Sequence, residues 1–329
     1  MQVPREFESL NLRPNVKPWI PGVFFLKNKM EFIIYSFLAL LASAGNTIFN
    51  RLGANRASAL TNATVKSFFI VITCFLICVI HGRLPVLYDL SGEDWIWITV
   101  VGVFTAANWF LYFLAIKRTH LETFTNFNAA DFLFLSNLLF LIFTFDAVTN
   151  GGKPLNIALY VIGLVSVLIG IIYIVRNKKL NPNAKAMWLV YAAFSCAFYA
   201  TLVLIVKLKL SHLPTDVISF HEMMVCFGLM LIASLVTKNI KEIVHIHWRE
   251  LIYIFLGALC NALLTIFRYT ALNEPNSIPA IVNVIIGLDF IIVSFATVFF
   301  FKAKNKVQLS IAVSLVLAGM ILNLLAGLI

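Results

Sequence analysis

Ten separate apolar stretches of about twenty residues fill this chain, at 31–50, 60–80, 95–115, 123–145, 155–175, 186–206, 217–236, 251–270, 277–301 and 307–328. A helix needs roughly 20 apolar residues to cross the hydrocarbon core of a bilayer, so each stretch reads as one transmembrane helix. Composition leaves no soluble alternative. With 61% hydrophobic and 12% charged residues over 329 positions, and a mean hydropathy of +0.92, the polar surface is too small to cover a globule. The connections are short, so nearly every residue lies in a span or a turn. The expected fold class is an all-α polytopic membrane protein with ten transmembrane helices.

All five cysteines, Cys74, Cys78, Cys196, Cys226 and Cys260, fall inside apolar runs without metal spacing or a CxxC pair. They read as small core residues, and no disulfide framework, metal or cofactor is expected. The formal charge of +10 sits mainly in loops and ends. Basic loops in such a chain orient it in the membrane, so nucleic acid is not an expected partner. Residues 1–29 differ from the rest. Arg5, Glu6, Glu8, Arg13 and Lys17 alternate with Pro4, Pro14, Pro18 and Pro21, and no run there is long enough for a signal peptide. The expectation is either a disordered polar tail at the membrane surface or translation beginning at Met30, directly before the first span. Loop charges alone place both termini outside, whereas the basic tail argues for the opposite orientation.

The stretches 108–143 and 261–300 follow one plan. The first carries Tyr112, Ala115, Lys117-Arg118-Thr119, Asn126 and Asp131; the second carries Arg268, Ala271, Asn273-Glu274-Pro275, Asn283 and Asp289. The most polar interior loop, Arg176 to Pro182, divides the spans five and five. Because five is odd, the second half must enter the membrane from the side opposite to the first, which is an inverted repeat. The boundaries expected from this are a tail at 1–29, a first five-helix repeat at 30–180 and a second at 181–329.

The segment Asn108-Trp109-Phe110-Leu111-Tyr112-Phe113-Leu114-Ala115-Ile116-Lys117 resembles the end of the third span in the drug/metabolite transporter superfamily, EamA-type. Phe267-Arg268-Tyr269-Thr270-Ala271-Leu272 looks like the same element in the second half, and the glycines Gly163, Gly170 and Gly319 are similar to that family's fifth and tenth spans. The resemblance covers the chain after Met30, through loose and mostly apolar motifs. It implies a membrane transporter, in the cell membrane, exporting amino acids or related metabolites. Two departures stand out. Asp131 and Asp289 lie where the family often has proline, and Thr144-Phe145-Asp146 and Phe301-Lys302-Ala303 replace its usual Gly-Glu.

A charge at the centre of a membrane helix costs about 2.5–3.5 kcal/mol on insertion scales, so mid-span polar residues call for a reason. Asp131 and Asp289 lie near mid-depth and read as carboxylates lining a wet cavity, able to bind a cationic group or carry a proton; capping or pairing within the helix bundle is the plainer alternative. Lys66 in the second span and His221-Glu222 in the seventh lie at similar distances from the starts of their helices. Lys66 could hold a carboxylate or phosphate and His221 could titrate, unless both simply snorkel to the interface. Arg268 offers an anion clamp, or a rim partner for Glu274. Of the asparagines within spans, Asn108, Asn126, Asn261 and Asn283 recur at matching places and are the expected cavity lining; others, including Asn46 and Asn50, bridge helices. Tyr112 and Tyr199 can add hydroxyls.

Other motifs fall away. Gly151-Gly152-Lys153-Pro154 lacks P-loop spacing, His245-Ile246-His247 lacks further ligands, and no nucleophile elbow is present, so no enzyme is expected. The expected function is secondary transport of a small polar or amphipathic metabolite by alternating access, with proton coupling as an option, by a monomer or homodimer in the lipid bilayer. The alternatives are a carrier of phosphorylated or nucleotide-linked sugars, for which basic cavity residues are scarce, and a membrane receptor or scaffold.

Overall fold

A computed structural model describes residues 21–54, 57–117, 157–176, 187–274, 282, 285–299 and 306–328. Every regular element among them is helical. In chain order these are α1 (Pro21–Gly53), α2 (Ala59–Ile80), α3 (Leu84–Tyr88), α4 (Gly92–Lys117), α5 (Ile157–Arg176), α6 (Met187–Lys209), α7 (Thr215–Val236), α8 (Ile240–Val244), α9 (Trp248–Asn273), α10 (Asp289–Phe299) and α11 (Lys306–Leu328). Six helical segments among the described residues are long and apolar enough to cross a membrane: Glu31–Gly53, Ala59–Ile80, Gly92–Lys117, Val190–Lys209, Thr215–Val236 and Trp248–Asn273. The fourth apolar run of the sequence, 123–145, lies outside the described residues.

Two differences from the sequence reading stand out. α1 starts at Pro21, so residues 21–29 of the expected polar tail form its opening turns. The first helical turn needs no N–H from its leading residue, and proline suits that position. In the ninth apolar run the helical path turns at Leu288, and α10 begins at Asp289.

The polarity of the helices is inside-out. On α1, Phe37 and Leu41 are exposed at 52% and 61%, whereas Ser36, Ser43, Thr47 and Asn50 are buried. Hydroxyls and amides inside with large apolar groups outside are costly in water and natural in lipid.

Helix bounds recur at a fixed spacing. A shift of 156 residues, the interval from Ala59 to Thr215, carries α2 onto α7, α3 onto α8 and α4 onto α9, with both ends coinciding each time. The same shift takes the last residue of α1, Gly53, to the last of α6, Lys209. Terminal chemistry repeats too. After α2, Gly82 adopts φ +66° while Arg83 N–H reaches the Cys78 carbonyl at 2.8 Å. After α7, Lys238 adopts φ +58° while Asn239 N–H reaches the Ser234 carbonyl at 2.8 Å. Both ends are left-handed caps that satisfy orphan carbonyls.

The helices cross at small residues. α1 packs on α9, where a Cβ added to Gly45 would sit 2.9 Å from Cys260 Sγ and one on Gly53 2.9 Å from Ile254. α4 packs on both α6 and α7, α2 on α7, and α5 on α11. At the last of these, a Cβ on Gly319 would lie 2.6 Å from the Gly163 carbonyl oxygen. Such backbone approach is the usual basis of helix association in membranes.

Candidate functional site

A cavity of about 760 Å³, measured with its open end, lies among α1, α2, α4, α6, α7 and α9. Its walls follow the repeat. Thr105, Asn108, Trp109, Tyr112 and Phe113 line it from α4, and Asn261, Leu264, Thr265, Arg268 and Tyr269, each 156 residues later, line it from α9. Ser43 and Tyr199, and Lys66 and Glu222, are further pairs at the same spacing.

Three ionisable side chains define the electrostatics. Lys66 is 2% exposed, and its amine donates to the side-chain oxygens of Asn46 and Asn50, which are one turn apart on α1. Its nitrogen also stands 4.9 Å from the centroid of the Trp109 ring, within cation–π range. Glu222 is likewise 2% exposed; it accepts from the Thr105 hydroxyl at 2.6 Å and the Tyr269 hydroxyl at 3.0 Å. Arg268 is buried with its guanidinium 4.9 Å from the centre of the Tyr199 ring. Asn108 is oriented by the Ser195 hydroxyl, which donates to its side-chain oxygen at 2.6 Å.

Of the residues singled out in the sequence, Lys66, Asn108, Asn261, Arg268 and Tyr112 meet at this cavity. Asp289 does not line it. Its carboxylate is 0% exposed and accepts from Ser43 at 2.6 Å, one residue back from the cavity wall. His221 is also away from the cavity, and it is buried rather than snorkelling. Its ring stands edge-on to Trp95 and Phe220 at 5.0 Å each, and Nδ1 donates to the Val217 carbonyl at 3.0 Å. Asp131, Asn126 and Asn283 lie outside the described residues. The matching of Asn108 with Asn261 is corrected: both line the cavity, but the repeat pairs Asn108 with Leu264 and Asn261 with Thr105.

Sequence reasoning paired Lys66 with His221-Glu222 but gave the cavity chemistry to His221, and it read Asn46 and Asn50 as helix bridges. A signal for Glu222 existed, since it is the eighth residue of α7 as Lys66 is the eighth of α2.

Polar junctions tie α2 to α7 at both ends. At one, Glu242 of α8 accepts from the Ser58 N–H at 2.5 Å and the Thr61 hydroxyl at 2.9 Å, and Asn239 donates to both hydroxyls. Partial burial works to raise the Glu242 carboxyl, but the bonds from Ser58 and Thr61, with the charge of Lys117, hold it below its ordinary value. At the opposite end His81 meets Asp216 at 2.9 Å, and beside it His212 of the α6–α7 turn meets Asp94 of α4 at 3.0 Å.

Comparison with known proteins agrees with this architecture. A solved structure described as "Crystal structure of protein" superposes with a TM-score of 0.64 at 16% identity, covering 90% of this chain and 98% of that one, which indicates a shared fold. No curated protein matches. Residues 186–325 match the model of the EamA-like transporter family. Over residues 186–325 the chain is thus similar to the EamA-like transporter family, and its six long apolar helices among the described residues fit an integral, multi-pass membrane protein.

Proposed function

We propose that the chain is a secondary transporter of ten helices, built as inverted five-helix halves at 30–180 and 181–329 behind the segment 1–29. It exports a small polar or amphipathic metabolite, such as an amino acid, from the cavity by alternating access. The observation that carries the reading is the repetition of the cavity wall at 156 residues, since a site shared by two equivalent halves is what rocking about a pseudo-two-fold axis requires. Packing supports it. If α1 corresponds to α6 and α4 to α9, the contact of α1 with α9 has its reciprocal in that of α4 with α6, and the α2–α7 and α5–α11 contacts are their own reciprocals. The junctions at the two ends of α2 and α7 are then alternate gates, one closed while the other opens.

In this reading Lys66 and Arg268 meet the anionic group of the cargo, while Asn108, Asn261 and Tyr112 orient it. Asp131 and Asp289 serve proton coupling, Asp289 through Ser43, and Asn126 and Asn283 complete the lining. His221 braces α7 against α4. The carrier acts as a monomer or homodimer and takes its energy from a gradient. A sugar-phosphate cargo is disfavoured by Glu222, which puts an acid opposite the two bases. The test is flux from proteoliposomes loaded with labelled amino acids, with and without a proton gradient, for wild type and Arg268→Gln. The reading expects flux that the substitution abolishes. Absence of flux for every solute class tried, or equal flux in the variant, would overturn it.

A further inference from the structure

We propose that one end of the helix bundle is a proton-sensitive gate. The His81–Asp216 and His212–Asp94 pairs clasp the two halves in acid and release them as the histidines lose their charge, while the junction at the other end does not respond. The inference rests on the transport reading above and assigns a regulation to one of its two gates.

Both pairs cross between the halves, in opposite senses. His81 follows α2 and reaches Asp216 in the first turn of α7; His212, just before α7, reaches Asp94 in the first turn of α4. Each carboxylate is divided in the same way. One oxygen of Asp216 accepts from the Val217 N–H at 3.0 Å, and the other meets His81 Nδ1. One oxygen of Asp94 accepts from the Ser91 N–H at 3.1 Å and the Ser91 hydroxyl at 2.7 Å, and the other meets His212 Nε2. The acids are thus fixed to their own helices and nearly buried, at 6% and 11% exposure. The imidazoles are 54% and 60% exposed and take protons from the water on that side. Histidine is the side chain that changes charge between about pH 5 and 8. A protonated ring makes a charge-assisted bond to a carboxylate, roughly twice as strong as a neutral one. Protons therefore bind more tightly while the pairs are formed, so acid shifts the population towards the state closed at this end.

Other charges nearby leave that sign unchanged. Arg83 and the Cys78 thiol lie near Asp216. On α6, Lys209 stands 5.2 Å from the centre of the Trp97 ring, whose nitrogen donates to Glu93 of α4 at 3.3 Å, and Lys207 donates to the Leu272 carbonyl of α9. α9 ends beside Glu274, which interacts with Glu31 of α1. His221, deeper on α7, is buried against Trp95 and bonded to Val217.

The repeat supplies the contrast with the opposite end. The shift of 156 residues carries Asp94 onto Glu250 and Arg56 onto His212, so a titrating residue at one end answers to a permanent cation at the other. It carries His81 onto Thr237 and Leu60 onto Asp216, and neither Thr237 nor Leu60 ionises. The clasp there is Glu242, held by the Ser58 N–H and the Thr61 hydroxyl, donors that keep their protons throughout the neutral range. His245 and His247 lie at that end, but they bond within the second half, to the Lys241 carbonyl at 2.7 Å and the Arg249 N–H at 3.3 Å.

Hydrogen exchange of the full-length protein in lipid nanodiscs, corrected for the intrinsic pH dependence of amide exchange, tests this. Between about pH 5 and about pH 8, wild-type exchange at 78–94 and 210–219 is expected to rise about three- to tenfold, the size that two half-exposed charged pairs can supply. Exchange at 58–62 and 239–250 is expected to stay level or fall. In the double variant His81→Gln/His212→Gln, the first two segments should exchange at both pH values as wild type does at about pH 8. His212→Arg, which copies the residue at position 56, should keep them better protected at about pH 8 than His212→Gln does. A wild-type response that is absent or reversed, a parallel rise at both ends, or an unchanged response in the folded double variant overturns the inference. If the double variant does not fold, the wild-type response and the comparison of His212→Arg with His212→Gln decide. Flux with no pH response at 78–94 would sink the gate while leaving transport standing, whereas a pH response without flux for any solute would remove transport and leave the proton-sensitive clasp.

Discussion

Gly102 is the position where the smallest covalent change should disturb both packing and site. A Cβ built on it would lie 2.5 Å from Val225 Cβ, 2.7 Å from Val225 Cγ1 and 3.0 Å from the Glu222 carbonyl oxygen. Ordinary contact starts near 3.4 Å, so α4 and α7 would have to separate by several tenths of an ångström or more. Rotating Val225 gives no relief, because the nearest atom is the root of its side chain and the third is backbone. Overpacking of this kind costs about 1–3 kcal/mol. Replacing a helical glycine by alanine returns at most about 1 kcal/mol. The net expectation for Gly102→Ala is a loss on the order of 1–2 kcal/mol. Gly228, on α7, is the internal control: a Cβ there meets nothing within 4 Å, so alanine should be neutral or stabilising by up to about 1 kcal/mol. Thermal unfolding followed with a thiol-reactive dye suits this protein, since Cys74, Cys78 and Cys226 are buried and become reactive on unfolding. At roughly 2–4 °C per kcal/mol, Gly102→Ala should lower the midpoint by several degrees and Gly228→Ala should not. Because the strain falls on the Glu222 backbone, Gly102→Ala should also weaken the Thr105–Glu222 bond and any cargo binding that depends on it. Equal midpoints for the two variants would refute the packing argument.

Ser43→Ala removes the hydroxyl donor to the buried Asp289 carboxylate; a loss of about 1.5–3 kcal/mol is expected, read in the same unfolding assay. Lys238→Gly relieves a left-handed backbone that a lysine adopts at a cost of about 1–2 kcal/mol, so it should raise the midpoint by a few degrees, whereas Lys238→Ala should not. The Glu242 carboxyl is held below its ordinary value near 4.5, so its bonds to Ser58 and Thr61 stabilise the fold above that pH, and the contribution fades as pH falls through the folded value. Midpoints measured from pH 7 downward should therefore drop less steeply in Glu242→Gln than in wild type.

Hydropathy located the membrane helices because lipid enforces one rule on every span. Most of the long described helices fall on the apolar runs within a few residues; α1 instead begins well before its run, at Pro21, and α10 covers only the later part of the ninth. α3 and α8 went unseen: a helix of five residues has too little apolar periodicity to register. The repeat was legible where Tyr112 answers to Arg268 and Ala115 to Ala271, both 156 apart, but the matches Asn126 to Asn283 and Asp131 to Asp289 depart from that register. The choice between His221 and Glu222 was beyond hydropathy. Adjacent residues on a helix point about 100° apart, and which of two polar neighbours faces the void depends on helix rotation set by Gly102 against Val225. The partners of Lys66 were hidden for a similar reason. Asn46 and Asn50 looked like helix bridges until α1 was seen to stand beside α2 across the cavity.

The glycine seam between α1 and α9 has a consequence for biogenesis. α1 finds its most extensive partner in α9, whose residues are made some two hundred codons later. Until then the serine and asparagine face of α1 waits in lipid without the surface it is shaped to meet, so the early helices need a temporary companion such as the insertion machinery, and an N-terminal half made alone should be prey to quality-control proteases.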